Sequence, residues 1–214
     1  MEEQAILDTI KQYLMEGKVA QLNQSIRMAA DTGLDAGKIL DAGLIAGMSI
    51  VGERFQRNEI YVPEVLLSAR AMLSAIELLQ PLLLKAGIKP KAKAALGTVQ
   101  GDIHNIGKNL VGIMLRGAGI EVLDLGVDVP PERFVTIAGE GVNFICMSCL
   151  LTTSLPFMKT TIEAITEAGI RDRVKILVGG AVVTKKYAQL IGADGYASNA
   201  AGAIDEVKRL INLS

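Results

Sequence analysis

The feature that most restricts the fold is a change of hydrophobic period part-way along the chain. Beyond the break at Gly87-Ile88-Lys89-Pro90, short apolar runs alternate with stretches of helical period, about five times over. The runs predict strands at Ala94 to Val99, Glu121 to Leu125, Phe144 to Ser148, Lys175 to Val178 and Gly195 to Ala197. Helices are expected near Gly107 to Arg116, Pro131 to Glu140, Leu155 to Ala168, Lys185 to Ile191 and Ala200 to Leu213. Strands that read as continuous apolar runs, joined by helical crossovers, are buried on both faces, and that describes a parallel sheet. The expected class is α/β, with a doubly wound five-stranded parallel sheet over residues 89–214. Such sheets bind ligands beyond the carboxyl ends of their strands, so functional residues are expected just after strands.

Residues 1–88 have a different pattern. Apolar residues recur at three and four positions in Ile6, Ile10 and Leu14, in Leu22, Ile26 and Ala29, from Ile39 to Phe55, and from Val65 to Leu79. Breaks at Gly17, at Asp31-Thr32-Gly33 and at Arg57-Asn58-Glu59 before Pro63 divide this part into about four helices, expected to pack as a bundle. The total of 214 residues accommodates two modest domains, and 50% hydrophobic with 21% charged residues describes a globular chain. Twenty-two Lys and Arg against 23 Asp and Glu leave no basic field for nucleic acid. The start Met1-Glu2-Glu3-Gln4 is acidic where a signal peptide is basic, and no apolar run approaches the roughly 20 residues of a membrane span. No membrane partner and a cytoplasmic location are therefore expected.

Three strand ends carry chemistry. After the first strand come Asp102-Ile103-His104-Asn105-Ile106-Gly107, and His104 is the only histidine of the chain. Asp102 can bond one ring nitrogen while the other faces outward as a metal ligand or base. Gly107 would let a bulky ligand, or the chain itself, approach the helix start. The plainer alternative is an exposed loop histidine with Asp102 as a helix cap. The third strand runs into Ser148-Cys149-Leu150-Leu151-Thr152-Thr153-Ser154, a hydroxyl cluster, and the fourth into Gly179-Gly180, where missing side chains leave a slot. Separately, hydroxyls cap helices and paired glycines make turns; together these ends describe a deep cleft. Cys146 and Cys149 form a Cys-x-x-Cys match, but they lie in a strongly apolar run where cysteine acts as a small hydrophobe.

The order Asp102-x-His104-x-x-Gly107, Ser148-x-Leu150, Gly179-Gly180 resembles the cobalamin-binding signature of corrinoid proteins in their base-off, histidine-on form. Gly52-x-x-Phe55, then Tyr61-Val62-Pro63-Glu64-x-x-Leu67-x-Ala69-x-x-Met72, resembles the helical cap of methionine synthase and of the small corrinoid subunits of methyltransferase systems. Those subunits serve methanol, methylamine, glycine betaine or methoxyaromatic demethylation. The resemblance covers nearly the whole chain. It implies a four-helix-bundle cap over residues 1–88 and a flavodoxin/Rossmann-like cobalamin-binding domain over 89–214. It implies further that the corrin lies between the domains, that its base-bearing tail threads into the sheet's cleft, and that His104 replaces the tail as lower cobalt ligand. Ser148 and Thr152 would anchor the tail, with Leu150 in the same motif, while Gly179 and Gly180 give it room. Tyr61 and Leu66 would shield the upper face.

By the same resemblance, the Co(I) form takes a methyl group from a substrate-specific methyltransferase. The methylated Co(III) form then passes it to a second methyltransferase, with tetrahydrofolate or a thiol as acceptor. A reductive activase completes the set, and catalysis of each transfer lies in the partners, leaving this chain a non-catalytic corrinoid subunit. Rival readings are an adenosylcobalamin mutase subunit, a cobalamin-dependent sensor and a cobalamin store. A receiver domain would need an aspartate where Ser148 stands, and a dinucleotide site a Gly-x-Gly-x-x-Gly turn that Gly97 to Gly107 does not have.

Overall fold

In the computed structural model, which describes residues 2–211, ten helices and five strands alternate much as the periods require. The first part comprises α1 (Glu2–Met15), α2 (Val19–Asp31), α3 (Ala36–Lys38), α4 (Ala46–Gln56) and α5 (Val62–Lys85). A π-helical stretch, Ile39–Ile45, joins α3 to α4 without a break, so these pieces form one rod and the part has four. The side chain of Asp35 accepts the Lys38 N–H at 2.9 Å and starts that rod. Pro63 in the first turn of α5, with Glu64 Oε2 accepting the Tyr61 N–H at 3.0 Å, starts the long helix, which continues through Pro81. Ile10, Leu14, Leu22, Ile26, Leu44, Met72 and Leu79 form the buried centre.

The second part contains β1 (Ala92–Val99), α6 (Ile106–Gly117), β2 (Ile120–Val129), α7 (Pro131–Gly139) and β3 (Phe144–Ser148). It continues with α8 (Leu155–Glu167), β4 (Lys175–Gly179), α9 (Lys185–Leu190), β5 (Gly195–Ala197) and α10 (Ala200–Ile211). The expected end of the last helix at Leu213 lies outside the described residues. All four pairings are parallel, in the order β2-β1-β3-β4-β5, the doubly wound arrangement whose order reverses between β1 and β3. Phe134, Phe144, Ile145, Ile176 and Met158 are among the side chains that fill its core.

One strand departs from expectation. β2 runs four residues beyond the expected end at Leu125, and its register against β1 slips twice. Leu96 pairs with Asp124 but Gly97 with Gly126, and Val99 with Val129, so β2 carries two more residues than its partner over this span. Edge position permits this, because only one side of β2 is paired.

The chain divides into two compact units, Met1–Pro90 with Arg116–Gly119, and Lys91–Leu115 with Ile120–Ser214. Among the described residues, no helix is long and apolar enough to cross a membrane.

Candidate cofactor site

The end of β1 and the loop to α6 form a closely bonded segment around a buried carboxylate. Asp102 is fully buried, and both of its oxygens are used. Oδ1 accepts the His104 N–H at 3.0 Å and lies 2.7 Å from His104 Nδ1. Oδ2 accepts the Leu150 N–H at 2.6 Å and the Leu151 N–H at 3.3 Å. Burial alone would raise this carboxyl, but the backbone N–H groups of Leu150 and His104 and the imidazole outweigh it and hold its pKa below the usual aspartate value.

An ionised carboxylate can only accept, so Nδ1 of the neutral imidazole carries the proton and Nε2 keeps its lone pair. The His104 side chain is 49% exposed. The loop thus presents a ring nitrogen with a free lone pair, in a tautomer set by Asp102. The capping alternative for Asp102 is corrected: its carboxylate serves His104 and the β3–α8 loop, not the start of α6.

Further bonds hold the loop. Thr98, fully buried near the end of β1, donates its hydroxyl to the His104 carbonyl at 2.8 Å. Asp128, near the end of β2, donates its N–H to the Asp102 carbonyl at 2.9 Å and accepts the Gly101 N–H on its side chain at 2.7 Å. Lys108, buried in the first turn of α6, places its ammonium 2.6 and 2.7 Å from the two oxygens of Asp124 on β2.

The remaining residues singled out from sequence are placed as follows. Ser148 is the last residue of β3 and is buried. Leu150 contributes its backbone N–H to Asp102, and Thr152 is exposed. A side chain at Gly107 would meet nothing within 4 Å, so close approach by the chain itself does not require glycine there. Gly180 is different. With φ of +125°, a Cβ on it would lie 2.0 Å from the Cys149 carbonyl oxygen, and one on Gly179 would lie 2.7 Å from the Ala197 oxygen. The space expected as a slot at these glycines is occupied, along the Cβ directions, by the chain's own backbone.

In the helical unit, Tyr61 is 65% exposed and Leu66 is also exposed, with Val62 and Leu67 beside them, whereas Met72 is core. Cys146 and Cys149 are both buried and free.

Sequence reasoning missed Thr98, Asp128, Lys108 and Asp124, and the Leu151 N–H. It also missed that Ile103 in the loop and Ile106 at the start of α6, on either side of His104, are 74% and 81% exposed. Only the last carried a signal, two isoleucines in an otherwise polar stretch.

These residues fit a corrinoid. One protein nitrogen suits a metal whose other ligands come from a macrocycle, and among the described residues no three His, Cys, Asp or Glu gather as a metal cage. Exposed Ile103, Ile106 and Leu151 offer apolar surface beside the histidine, and Ser148 places a hydroxyl-bearing residue at the end of β3.

Comparison with known proteins agrees. Residues 92–205 match the family described as the B12 binding domain, and residues 6–80 match a second family of that description. Corrinoid protein DSY3155 of Desulfitobacterium hafniense strain Y51 is 39% identical over 214 residues, covering 97% of this chain and 98% of the relative. Dimethylamine corrinoid protein 1 of Methanosarcina acetivorans is 42% identical over 180 residues, covering 83% and 84%. Among solved structures, the methanol:cobalamin methyltransferase complex MtaBC from Methanosarcina barkeri matches with a TM-score of 0.88 at 28% identity, covering 98% of this chain and 81% of the matched chain. A cobalamin-binding protein from Desulfitobacterium hafniense DCB-2 matches with a TM-score of 0.80 at 30% identity, covering 95% and 97%. The family match over residues 92–205, and relatives this similar along nearly their whole length, mean that the chain belongs to the family of B12-binding corrinoid proteins.

Proposed function

We propose that this protein is a methyl-carrying corrinoid subunit, with His104 Nε2 as lower ligand of the cobalt in a base-off, histidine-on state. When bound, the corrinoid supplies a cobalt centre able to accept a methyl group from one partner and release it to another. The observation that carries the reading is the pair His104–Asp102. A fully buried carboxylate 2.7 Å from Nδ1 fixes the tautomer that leaves Nε2 free.

The rest of the site follows from the same elements. Exposed Ile103, Ile106 and Leu151 meet the apolar parts of the ring, and Gly107 keeps the start of α6 without a side chain in its way. Ser148 and Thr152, at and after the end of β3, supply hydroxyls to the tail of the cofactor, beside the Leu150 backbone and the turn at Gly179 and Gly180. In the helical unit, Tyr61 and Leu66 offer exposed apolar surface to the cofactor. In this reading no residue of the chain is required to act as acid, base or nucleophile toward a methyl donor. Catalysis then falls to a substrate-specific methyltransferase and to a corrinoid:acceptor methyltransferase using tetrahydrofolate or a thiol, with a reductive activase restoring the low-valent cofactor. The similarity to relatives named for dimethylamine and for a methanol:cobalamin methyltransferase complex supports this assignment, and the setting proposed for it is the cytoplasm.

The test is the visible spectrum of gel-filtered protein reconstituted with hydroxocobalamin, beside His104→Ala. The wild type should retain stoichiometric corrinoid with an imidazole-ligated spectrum, and the variant should lose that ligation. A wild type that binds no corrinoid, or a variant with an unchanged spectrum, overturns the reading. A carrier is separated from a store by adding a methylamine with its methyltransferase and following methylation of the bound cofactor.

A further inference from the structure

The geometry points to Asp128 as a positioning residue that clasps the histidine loop from the neighbouring strand. This inference rests on the reading of His104 as cobalt ligand. Asp128 is one of two residues other than glycine with positive φ among those described, at +53°. Left-handed backbone is disfavoured for most side chains and tolerated best by asparagine and aspartate.

The conformation has a use. It turns the Asp128 N–H onto the Asp102 carbonyl at 2.9 Å while the carboxylate reaches the Gly101 N–H at 2.7 Å. Two bonds from one residue therefore fix the two residues immediately before Ile103 and His104. The second register slip of β2, between Gly126 and Val129, is what brings Asp128 to this point.

The Asp102 N–H also donates to the Val99 carbonyl of β1 at 3.2 Å, so Asp128 is the second tie on this backbone and comes from a different strand. Asp102's own carboxylate holds the imidazole and the β3–α8 loop, and Thr98 holds the His104 carbonyl, but the backbone at Gly101 and Asp102 is tied on its outer side by Asp128. Without the clasp, the buried carboxylate and Thr98 keep their partners, while the Gly101 N–H and the Asp102 carbonyl lose theirs and the loop that carries the ring is held by fewer bonds. The consequence is a looser His104, not an unfolded domain. Outer residues of this kind typically change metal ligation by about 10- to 100-fold.

Three variants separate the clasp from the strain. Asp128→Asn tolerates the left-handed conformation and keeps an acceptor oxygen. Asp128→Gly relieves the conformation and removes the acceptor. Asp128→Ala removes the acceptor and keeps the strain. Two readouts are taken, site-resolved amide exchange of Gly101 in the corrinoid-free protein, and the ratio of histidine-on to histidine-off spectra with hydroxocobalamin bound.

In Asp128→Gly, the Gly101 amide should exchange about tenfold faster and the histidine-on ratio should fall about tenfold, as expected for loss of an outer contact. Asp128→Asn should restore both to near the wild-type values, and Asp128→Ala should match or exceed the loss in Asp128→Gly. Unchanged exchange in Asp128→Gly overturns the clasp. Faster exchange with an unchanged ratio overturns the positioning role, because the contact is then scaffolding alone. If the wild type shows no imidazole ligation, the ligand reading itself fails and the purpose assigned to the clasp fails with it. The exchange data from the corrinoid-free chain distinguish that outcome from the other two.

Discussion

Replacing Asp102 by asparagine keeps the shape of the most heavily bonded side chain in the site and removes its charge. The carboxylate faces four N–H groups, two on each oxygen: His104 N–H and Nδ1 on one side, Leu150 and Leu151 N–H on the other. Asparagine has a single acceptor oxygen, so one pair of donors must face an amide NH2. If that pair is Leu150 and Leu151, the 2.6 Å bond and the 3.3 Å bond are both lost in a fully buried place. Bonds to a charged acceptor contribute about 1.5 to 3 kcal/mol each, and the longer one less, so the loss is about 2 to 4 kcal/mol. If the NH2 faces His104, the backbone bond is lost and the NH2 must donate to Nδ1. That moves the ring proton to Nε2 and blocks the nitrogen proposed as cobalt ligand.

Urea unfolding of the corrinoid-free protein measures the first effect, and the histidine-on spectrum with hydroxocobalamin measures the second. The sign with pH is also fixed. The carboxyl of Asp102 is held below its ordinary value, so its stabilisation is present above the unfolded pKa of about 3.9 and is lost as pH falls through the lower folded value. The gap in stability between wild type and Asp102→Asn should therefore be full near neutral pH and close as the solution is acidified below about pH 4. A loss under about 1 kcal/mol at neutral pH, together with an unchanged spectrum, refutes the account, because no placement of the amide satisfies all four donors.

Gly180→Ala should destabilise the protein by about 3 kcal/mol or more, since its Cβ would lie 2.0 Å from the Cys149 oxygen at a φ that suits glycine alone; stability within about 1 kcal/mol of wild type would refute this. Gly107→Ala should instead leave stability equal or higher by about 0.5 kcal/mol, being an open position in α6, while weakening corrinoid retention on gel filtration. Equal retention would mean that nothing approaches the start of that helix. Burial pushes the Cys146 thiol up to about 12 and the Cys149 thiol up to about 11, so iodoacetamide at neutral pH should alkylate neither until the protein is unfolded. Mass spectrometry of the native protein checks this, and rapid labelling of either residue contradicts it.

The sheet was legible because its signal is repetitive. Five apolar runs separated by helical stretches leave little choice but a parallel sheet, and three strand ends with unusual residues mark the ligand side. His104 and Asp102 were legible because two residues of separation in a loop is short enough for a side chain to reach back. What stayed hidden is backbone. The N–H groups of Leu150 and Leu151 that receive Asp102, and the N–H of Asp128 that meets its carbonyl, belong to no residue type and leave no mark in a sequence. The two extra residues in β2 were equally hidden, because a bulge at an edge strand changes pairing and not composition.

Those hidden contacts alter what the motif means. Asp-x-His reads as a local pair, yet half of the carboxylate's bonding goes to the loop after β3, 48 and 49 positions further on. The same loop follows directly on Ser148, the last residue of β3, and its Cys149 N–H donates to the Gly179 carbonyl at the end of β4. One buried carboxylate thus joins the histidine loop to the Ser148 loop, and that loop is joined in turn to the paired glycines. The three fragments of the signature are one bonded unit across β1, β3 and β4. A change that displaces the Ser148 loop pulls on the atom that sets the tautomer of His104. Substitutions at the two ends should therefore be non-additive, with Asp102→Asn and a disruption of the β3–α8 loop costing less together than the sum of each alone.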